Sequence, residues 1–260
     1  MSRRKNIRFL FLAGFTLLFL FSCSPKQLKQ CEVMERSPLA NSRQVLLALA
    51  DSWESQTAEV EMLERGRLGS PWHSVGFKSR VNLGRNGLGW GTGLHGFLED
   101  PGPVKQEGDG KAPAGVFKIS AIFGYSPAGS VPFFHLPYIP IDSRTICVDD
   151  VQSAYYNLVL DGRVVSAVDW NSSEQMLRRD NLYKWGALVE HNPMPRKFKG
   201  GSCIFLHLWK GPSIPTAGCT AFDEADLMGV LRWLRPEAGP VLVQLPRSAY
   251  LRLRAAWQLP

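Results

Sequence analysis

Short hydrophobic runs, separated by glycine and proline, dominate the chain from Pro71 onward. Runs of roughly four to eight residues that are rich in β-branched and aromatic side chains are typical of β-strands. The predicted strands span residues 72–77, 116–119, 156–160, 185–189, 203–208 and 241–245. The pattern therefore predicts a mostly β fold, either a mixed β-sandwich or a barrel-like sheet, with a few peripheral helices.

Two segments have helical spacing instead. The apolar positions of the first are Val45, Leu46, Leu49 and Trp53. Because Ser42 can cap its start, this spacing predicts a helix over residues 42–64. The second begins after Asp223, a good N-cap, and Asp226 mimics a capping box there. Its apolar stripe ends before Pro236, which predicts a short late helix.

The first 22 residues have the pattern of an export signal. A cationic start is followed by an apolar run from Phe9 to Phe21, which is shorter than the roughly 20 residues that a spanning helix needs. The sequence Leu20-Phe21-Ser22-Cys23 resembles the bacterial lipobox, which implies that Cys23 is lipidated and becomes the mature N-terminus. Because Ser24 and not an aspartate follows Cys23, the same resemblance implies the outer membrane, with the protein facing the periplasm. The alternatives are an ordinary cleaved signal and an uncleaved anchor.

This signal explains much of the positive charge. The chain has 30 basic and 23 acidic residues, a net charge of +7. Without the four basic residues of the signal, 26 basic residues face 23 acidic ones, a net charge of +3. No basic block interleaved with aromatic residues remains, so we expect no nucleic-acid binding. The glycine-rich stretch 84–96 lacks the order of a phosphate-binding loop, so we expect no nucleotide cofactor.

The segment 201–221 carries the candidate chemistry. With a side-chain period of two, a strand over 203–208 turns Cys203, Phe205 and His207 to one face and buries the residues between them. A loop rich in proline and glycine then returns the chain to Cys219, twelve residues after His207. That separation lets a thiol and an imidazole meet at one end of a sheet. The alternative is a structural cysteine in a turn and an unrelated histidine.

A cysteine attacks carbonyl carbon as a thiolate, but a free thiol has a pKa of about 8.5. An imidazole that accepts the proton makes the attack possible at neutral pH, so Cys219 is the candidate nucleophile and His207 its base. Gly218 lets the backbone approach a substrate closely, and its amide could help to bind an oxyanion. The residue that orients His207 is not identified, although a backbone carbonyl would suffice.

The sequence L-H-L-W followed by T-A-G-C-T-A resembles the signature of the L,D-transpeptidase (YkuD-like) catalytic domain. Residues 107–117, which contain A-P-A-G-V-F, are similar to an early strand of that family. The resemblance covers about residues 72–246 and implies an L,D-transpeptidase-like β-sandwich without a metal or other cofactor. Many family members carry an arginine or asparagine two residues after the cysteine, where this chain has Ala221. The departure concerns donor and acceptor recognition more than the nucleophile.

The family's activity forms a cysteine thioester with a peptidoglycan tetrapeptide stem and transfers the acyl group to an amine. The amine acceptor belongs to a second stem or to a wall-attached protein. Two alternatives remain: a hydrolase on the same scaffold, acting as an L,D-carboxypeptidase or endopeptidase, and a non-catalytic lipoprotein that binds peptidoglycan. On this interpretation residues 1–22 are the signal, 23–69 a tether and helix, and 70–260 the catalytic domain.

Four further residues are candidates for substrate binding. His191 ends a predicted strand, Trp185 and Trp209 can wall a cleft, and Thr216 belongs to the turn before the cysteine. Core packing or simple exposure is the alternative for the histidine and the tryptophans. The cysteines show no metal-ligand spacing, so we expect no zinc site. Cys147 and Cys203 flank the site and are either bridged or free in an oxidising periplasm.

Overall fold

The computed structural model describes residues 37–96, 100–165 and 167–260. The predicted signal, the lipidation candidate Cys23 and most of the tether therefore lie outside the described residues. Within those ranges, no helix combines the length and the apolar character that crossing a membrane requires.

Most of the described chain is organised around one large sheet. Its strands are β1 (Gln44–Ala50), β2 (Thr57–Glu64), β3 (His73–Asn82), β4 (Leu88–Trp90), β5 (Ala112–Gly124), β6 (Tyr138–Pro140), β10 (Trp185–Val189), β11 (Phe205–Leu208), β12 (Thr220–Phe222) and β13 (Val241–Pro246). A second, small sheet contains β7 (Thr145–Val148), β8 (Val159–Asp161) and β9 (Ser173–Gln175). The α-helices of the described ranges are α1 (Glu224–Trp233) and α2 (Arg247–Trp257).

The large sheet closes on itself. Its strand order is β10-β11-β12-β3-β2-β1-β13-β5, and β10 also pairs with β5, which completes a ring. β4 and β6 attach to β5 outside the ring. The expected mostly β class with few helices is confirmed, and the sheet is barrel-like. Closure leaves the ring without open edges, which removes the exposed backbone donors and acceptors of an edge strand.

The predicted helix over residues 42–64 is wrong. The segment instead forms the antiparallel hairpin of β1 and β2, and β1 lies between β2 and β13 within the barrel. β1 is buried along nearly its whole length, and a strand covered on both faces has a continuous apolar run that mimics helical spacing. In β2, buried Ala58 and Val60 alternate with the less buried Thr57 and Glu59. This period of two is the sequence pattern that indicates a strand here. Residues 44–64 thus belong to the barrel and not to a separate preface.

The other element predictions hold with shifted ends. Residues 185–189 form β10 and residues 241–246 form β13, while β3 and β5 extend well beyond their predicted cores. The predicted strand 156–160 shrinks to β8 because Asn157 adopts a left-handed backbone with a φ of 61°. The late helix is confirmed as α1, whose Asp223 side chain accepts a hydrogen bond from the Ala225 amide. Asp226 accepts instead from Ser79, 2.6 Å away.

The small sheet is an insertion between β6 and β10 that lies against the barrel beside β11. Cys147 of β7 and Cys203, which precedes β11, are joined by a disulfide with a Cα–Cα distance of 6.0 Å. Of the two alternatives that the sequence left open, bridged or free, the two cysteines are bridged. It ties the insertion to the strand that carries His207.

Removing the bridge should destabilise the protein by up to about 4 kcal/mol, since it closes a loop with a sequence separation of 56. The double variant Cys147→Ala/Cys203→Ala, compared with wild type by denaturant unfolding, measures the change. Wild-type protein kept in reductant should match the variant. Equal unfolding free energies for oxidised wild type and variant would rule out a stabilising bridge.

Candidate active site

The two candidate catalytic residues lie on neighbouring parallel strands. β11 pairs with β12 so that Leu206 lies opposite Thr220 and His207 opposite Ala221. Cys219 therefore lies beside Phe205 just before β12, and it shares a face with His207 because side chains alternate along a strand. Both side chains line one cleft of about 530 Å³. The shared face and the shared cleft agree with the predicted placement of the two residues, while their catalytic roles stay a prediction.

The alternation predicted for residues 203–208 is present. Cys203, Phe205 and Cys219 pack together in a cluster with Tyr183, on the side of the inserted sheet. Ile204, Leu206 and Leu208 face the opposite way and belong to the barrel core. The barrel interior thus holds β11 firmly and presents its other face to the cleft.

His207 is oriented by its own strand. Its Nδ1 lies 2.7 Å from the carbonyl oxygen of Leu208. Because a carbonyl only accepts, Nδ1 carries the proton and Nε2 keeps a free lone pair. Burial lowers the pKa of His207 to about 4, and the Leu208 carbonyl opposes this in part. The imidazole is therefore neutral at neutral pH and able to accept a proton, while the ring of Tyr183 packs edge-on at 5.1 Å.

Cys219 rests on backbone groups and not on His207. Its Sγ donates to the Cys203 carbonyl at 3.4 Å and accepts from the Phe205 amide at 3.3 Å. Cys219 lies opposite Phe205, whereas His207 is two residues further along β11 than Phe205, a rise of about 6.6 Å. The expected hydrogen bond between the Cys219 thiol and the His207 imidazole is accordingly not among the hydrogen bonds of the described residues. Burial raises the pKa of Cys219 to about 12, so the resting group is a thiol. Direct proton transfer from sulfur to Nε2 therefore requires the two side chains to approach each other.

Gly218 and Thr216 shape the turn before the cysteine. The Thr216 hydroxyl donates to the Cys219 carbonyl at 2.7 Å and accepts from the Gly218 amide at 3.0 Å. Gly218 has a φ of 154°, and a Cβ there would lie 3.0 Å from the Lys111 carbonyl oxygen. The expected oxyanion role of the Gly218 amide is therefore not met in this state, since that amide already has an acceptor. Thr216 lines the cleft, so its predicted role in substrate binding stays a prediction, but its hydroxyl is engaged in holding the turn.

Three predicted substrate contacts lie away from the cleft. His191 is 2% exposed, with Nε2 2.9 Å from the Gly200 carbonyl oxygen, so it is a core histidine. Trp185 packs edge-on against Phe134 at 5.8 Å and adjoins the barrel core. Trp209 follows β11, where its amide donates to the Phe222 carbonyl, and it does not line the cleft. Each of the three stands in or near the end of a strand, but none of their side chains lines the cleft.

Strand β9 and the segment after it supply two cleft residues that the sequence did not indicate, Glu174 and Arg178. The Tyr183 hydroxyl donates to Glu174 at 2.6 Å, and Arg178 bridges Glu174 at 3.1 Å and Asp180 at 2.6 Å. Burial raises the pKa of Glu174. Tyr183 could be expected from its aromatic character near β10. Glu174 and Arg178 carried no motif, because only the folded insertion brings them to the cysteine.

Half-buried Glu107 is another hydrogen-bonded carboxylate that lines the cleft. Glu107 accepts from the Tyr156 hydroxyl at 2.5 Å and from the Ser202 hydroxyl at 2.7 Å. Lys105 is 4% exposed and pairs with Asp109 at 2.6 Å. These contacts fix the segment just before β11. Among the described residues, no group of three or more histidine, cysteine or acidic side chains is placed to hold a metal ion.

Acid should destabilise the fold through two buried histidines. Burial lowers the pKa of both His191 and His207 to about 4, against about 6.5 when unfolded. Between these values the unfolded chain binds more protons, so the unfolding free energy falls as the pH drops from about 6.5 to 4, by roughly 3 kcal/mol for each histidine. Denaturant unfolding at pH 7.5 and 4.5 measures the loss. His191→Gln should show a smaller loss, and an unchanged loss would contradict its assignment as a buried neutral group.

Comparison of the chain with protein-family models, curated proteins and solved structures finds no match. The class that the described fold and cleft define is a barrel-like β protein with a cysteine and a neutral histidine facing one cleft.

Proposed function

We propose that this chain is a peptidoglycan L,D-transpeptidase, a cysteine acyltransferase with an L,D-transpeptidase-like domain. The observation that carries the proposal is the placement of Cys219 and His207 on one face of adjacent parallel strands, where both line one cleft. The free Nε2 of a neutral imidazole supports its role as a base. The motif around these residues resembles that of the L,D-transpeptidase family, which supports this choice of activity.

The first half-reaction forms a thioester. Cys219 rotates toward His207, Nε2 takes the thiol proton, and sulfur attacks the carbonyl of the L-to-D bond in a tetrapeptide stem. The bond between carbonyl carbon and nitrogen breaks, and His207 returns the proton to the leaving amine. In the second half-reaction an acceptor amine attacks the thioester, His207 takes its proton, and the Cys219 thiol is restored.

The resting charges favour a coupled proton transfer. A thiol with a pKa of about 12 and an imidazole with a pKa of about 4 do not form a stable ion pair. The thiol proton therefore moves to His207 as sulfur attacks the substrate carbonyl. Binding of the substrate displaces water from the cleft. The Phe205 amide donates to sulfur and lowers the pKa of Cys219, which offsets part of the increase that burial causes.

The proposal extends to location and partners. The basic, apolar N-terminal pattern and Cys23 support export and lipid anchoring, with the protein held at the outer membrane facing the periplasm. The partners are stem peptides and an amine acceptor on a second stem or a wall-attached protein. On this proposal, substrate and enzyme share one compartment.

The test is incubation of the purified full-length protein with muropeptides, with and without an added amine acceptor, followed by mass analysis of the products. New cross-linked products that require the acceptor support transpeptidation. Shortened stems without cross-links point to a hydrolase. Retention of muropeptides without any product points to a binding lipoprotein, an outcome that fits a thiol held on the Cys203 carbonyl.

A further inference from the structure

Two cationic side chains at the cleft have no partner among the described residues. They are Arg85, in the loop after β3, and Lys210, in the loop after β11. Both are exposed. An unpaired guanidinium and ammonium in a cleft favour a negatively charged group of the ligand.

The remaining cations of the cleft are already neutralised. Lys105 pairs with Asp109, and Arg178 pairs with Asp180 and Glu174. Arg85 and Lys210 are therefore the described cleft cations that remain available to an incoming anion.

The position of Arg85 is tied to the nucleophile. Its amide donates to the Thr216 carbonyl at 2.9 Å, and the Thr216 amide donates to Leu83 at 2.8 Å. The Thr216 hydroxyl in turn holds the Cys219 carbonyl at 2.7 Å. A Cβ on Gly84 would lie 2.4 Å from the Gly110 carbonyl oxygen, so this loop packs closely on its neighbour. The backbone of Arg85 is thus fixed with respect to the turn that carries the cysteine.

We propose that Arg85, assisted by Lys210, binds the terminal carboxylate of the donor peptide. This inference rests on the proposed function. In a donor whose last residue leaves, that carboxylate is separated from the scissile carbonyl by only one residue. Arginine matches a carboxylate with two parallel hydrogen bonds, whereas lysine acts as a point charge. The subsite selects stems that end in a free carboxylate over stems whose end is blocked or extended.

The experiment compares two tetrapeptide stems that differ only at the C-terminus, one a free acid and one a primary amide. Wild type should prefer the acid by about 10- to 100-fold in kcat/KM, mainly through KM, because a charge-assisted contact is lost with the amide. Arg85→Gln should lose most of this preference by turning over the acid more slowly, and Arg85→Lys should keep part of it.

Arg80→Gln is the matched control. Arg80 is also an arginine near the end of β3, but its guanidinium contacts Thr57 and it does not line the cleft. Its preference should equal that of wild type. If Arg85→Gln keeps the full preference for the acid, the inference is overturned while the transferase remains. If wild type turns over neither peptide, the proposed function itself fails.

Discussion

Replacing Cys219 with alanine should abolish turnover and thioester formation, a loss of at least about 10⁴-fold, because no other thiol in the described cleft is free to form the covalent intermediate. The fold should persist. The side chain is small, and its loss leaves the Phe205 amide without its sulfur acceptor, a cost of about 1 kcal/mol. Steady-state product formation from a tetrapeptide donor, with unfolding curves for each protein, measures both effects.

Cys219→Ser provides the matched comparison. A hydroxyl can keep the contacts with Phe205 and Cys203, but it is a far weaker nucleophile at neutral pH. It should therefore fold like wild type and remain inactive. Turnover by either variant at more than about one per cent of the wild-type rate would remove Cys219 from the chemistry.

Replacing His207 with glutamine should slow acylation on the order of 100-fold or more, since the base is lost. The pH profile gives a sharper result. Wild-type activity should fall as the pH drops toward the His207 pKa of about 4 and stay level near neutrality. The variant depends on spontaneous ionisation of a thiol whose pKa is about 12, so its rate should rise nearly tenfold per pH unit above pH 7.

His191→Gln is the control for this experiment. His191 is equally buried and its pKa is also lowered to about 4, but its ring bonds to Gly200 and does not line the cleft. It should keep the wild-type rate and pH profile. A His207→Gln profile parallel to that of wild type would contradict the role of His207 as base.

The local part of the site could be predicted from the sequence. Strict alternation along β11 placed His207 on the cleft face, and the proline-containing loop returned the chain to Cys219. Local rules also found the cap of α1, where a single side chain satisfies a nearby amide. These features depend on residues close in sequence, which is why periodicity sufficed.

Tertiary packing decided the rest. The run from Val45 to Ala50 fits either a helix or a doubly covered strand, and only its place between β2 and β13 resolves the choice. His191 follows the predicted strand 185–189 and His207 lies within the predicted strand 203–208, so both were candidates for the cleft. Gly91 and Gly201, which have no Cβ, leave room for the His191 ring in the core. Barrel closure through β10 and β5 joins distant segments that no short motif connects. In the same way, only the folded chain brings Glu174 into the cleft that Cys219 lines.

The most direct test is the intact mass of the full-length protein, acid-quenched shortly after mixing with a tetrapeptide donor. A thioester on Cys219 predicts a mass increase equal to the donor minus its terminal amino acid, mapped to the peptide that contains Cys219 and absent from Cys219→Ala. Product formation without any such adduct in wild type, or an adduct that persists in Cys219→Ala, would contradict the account.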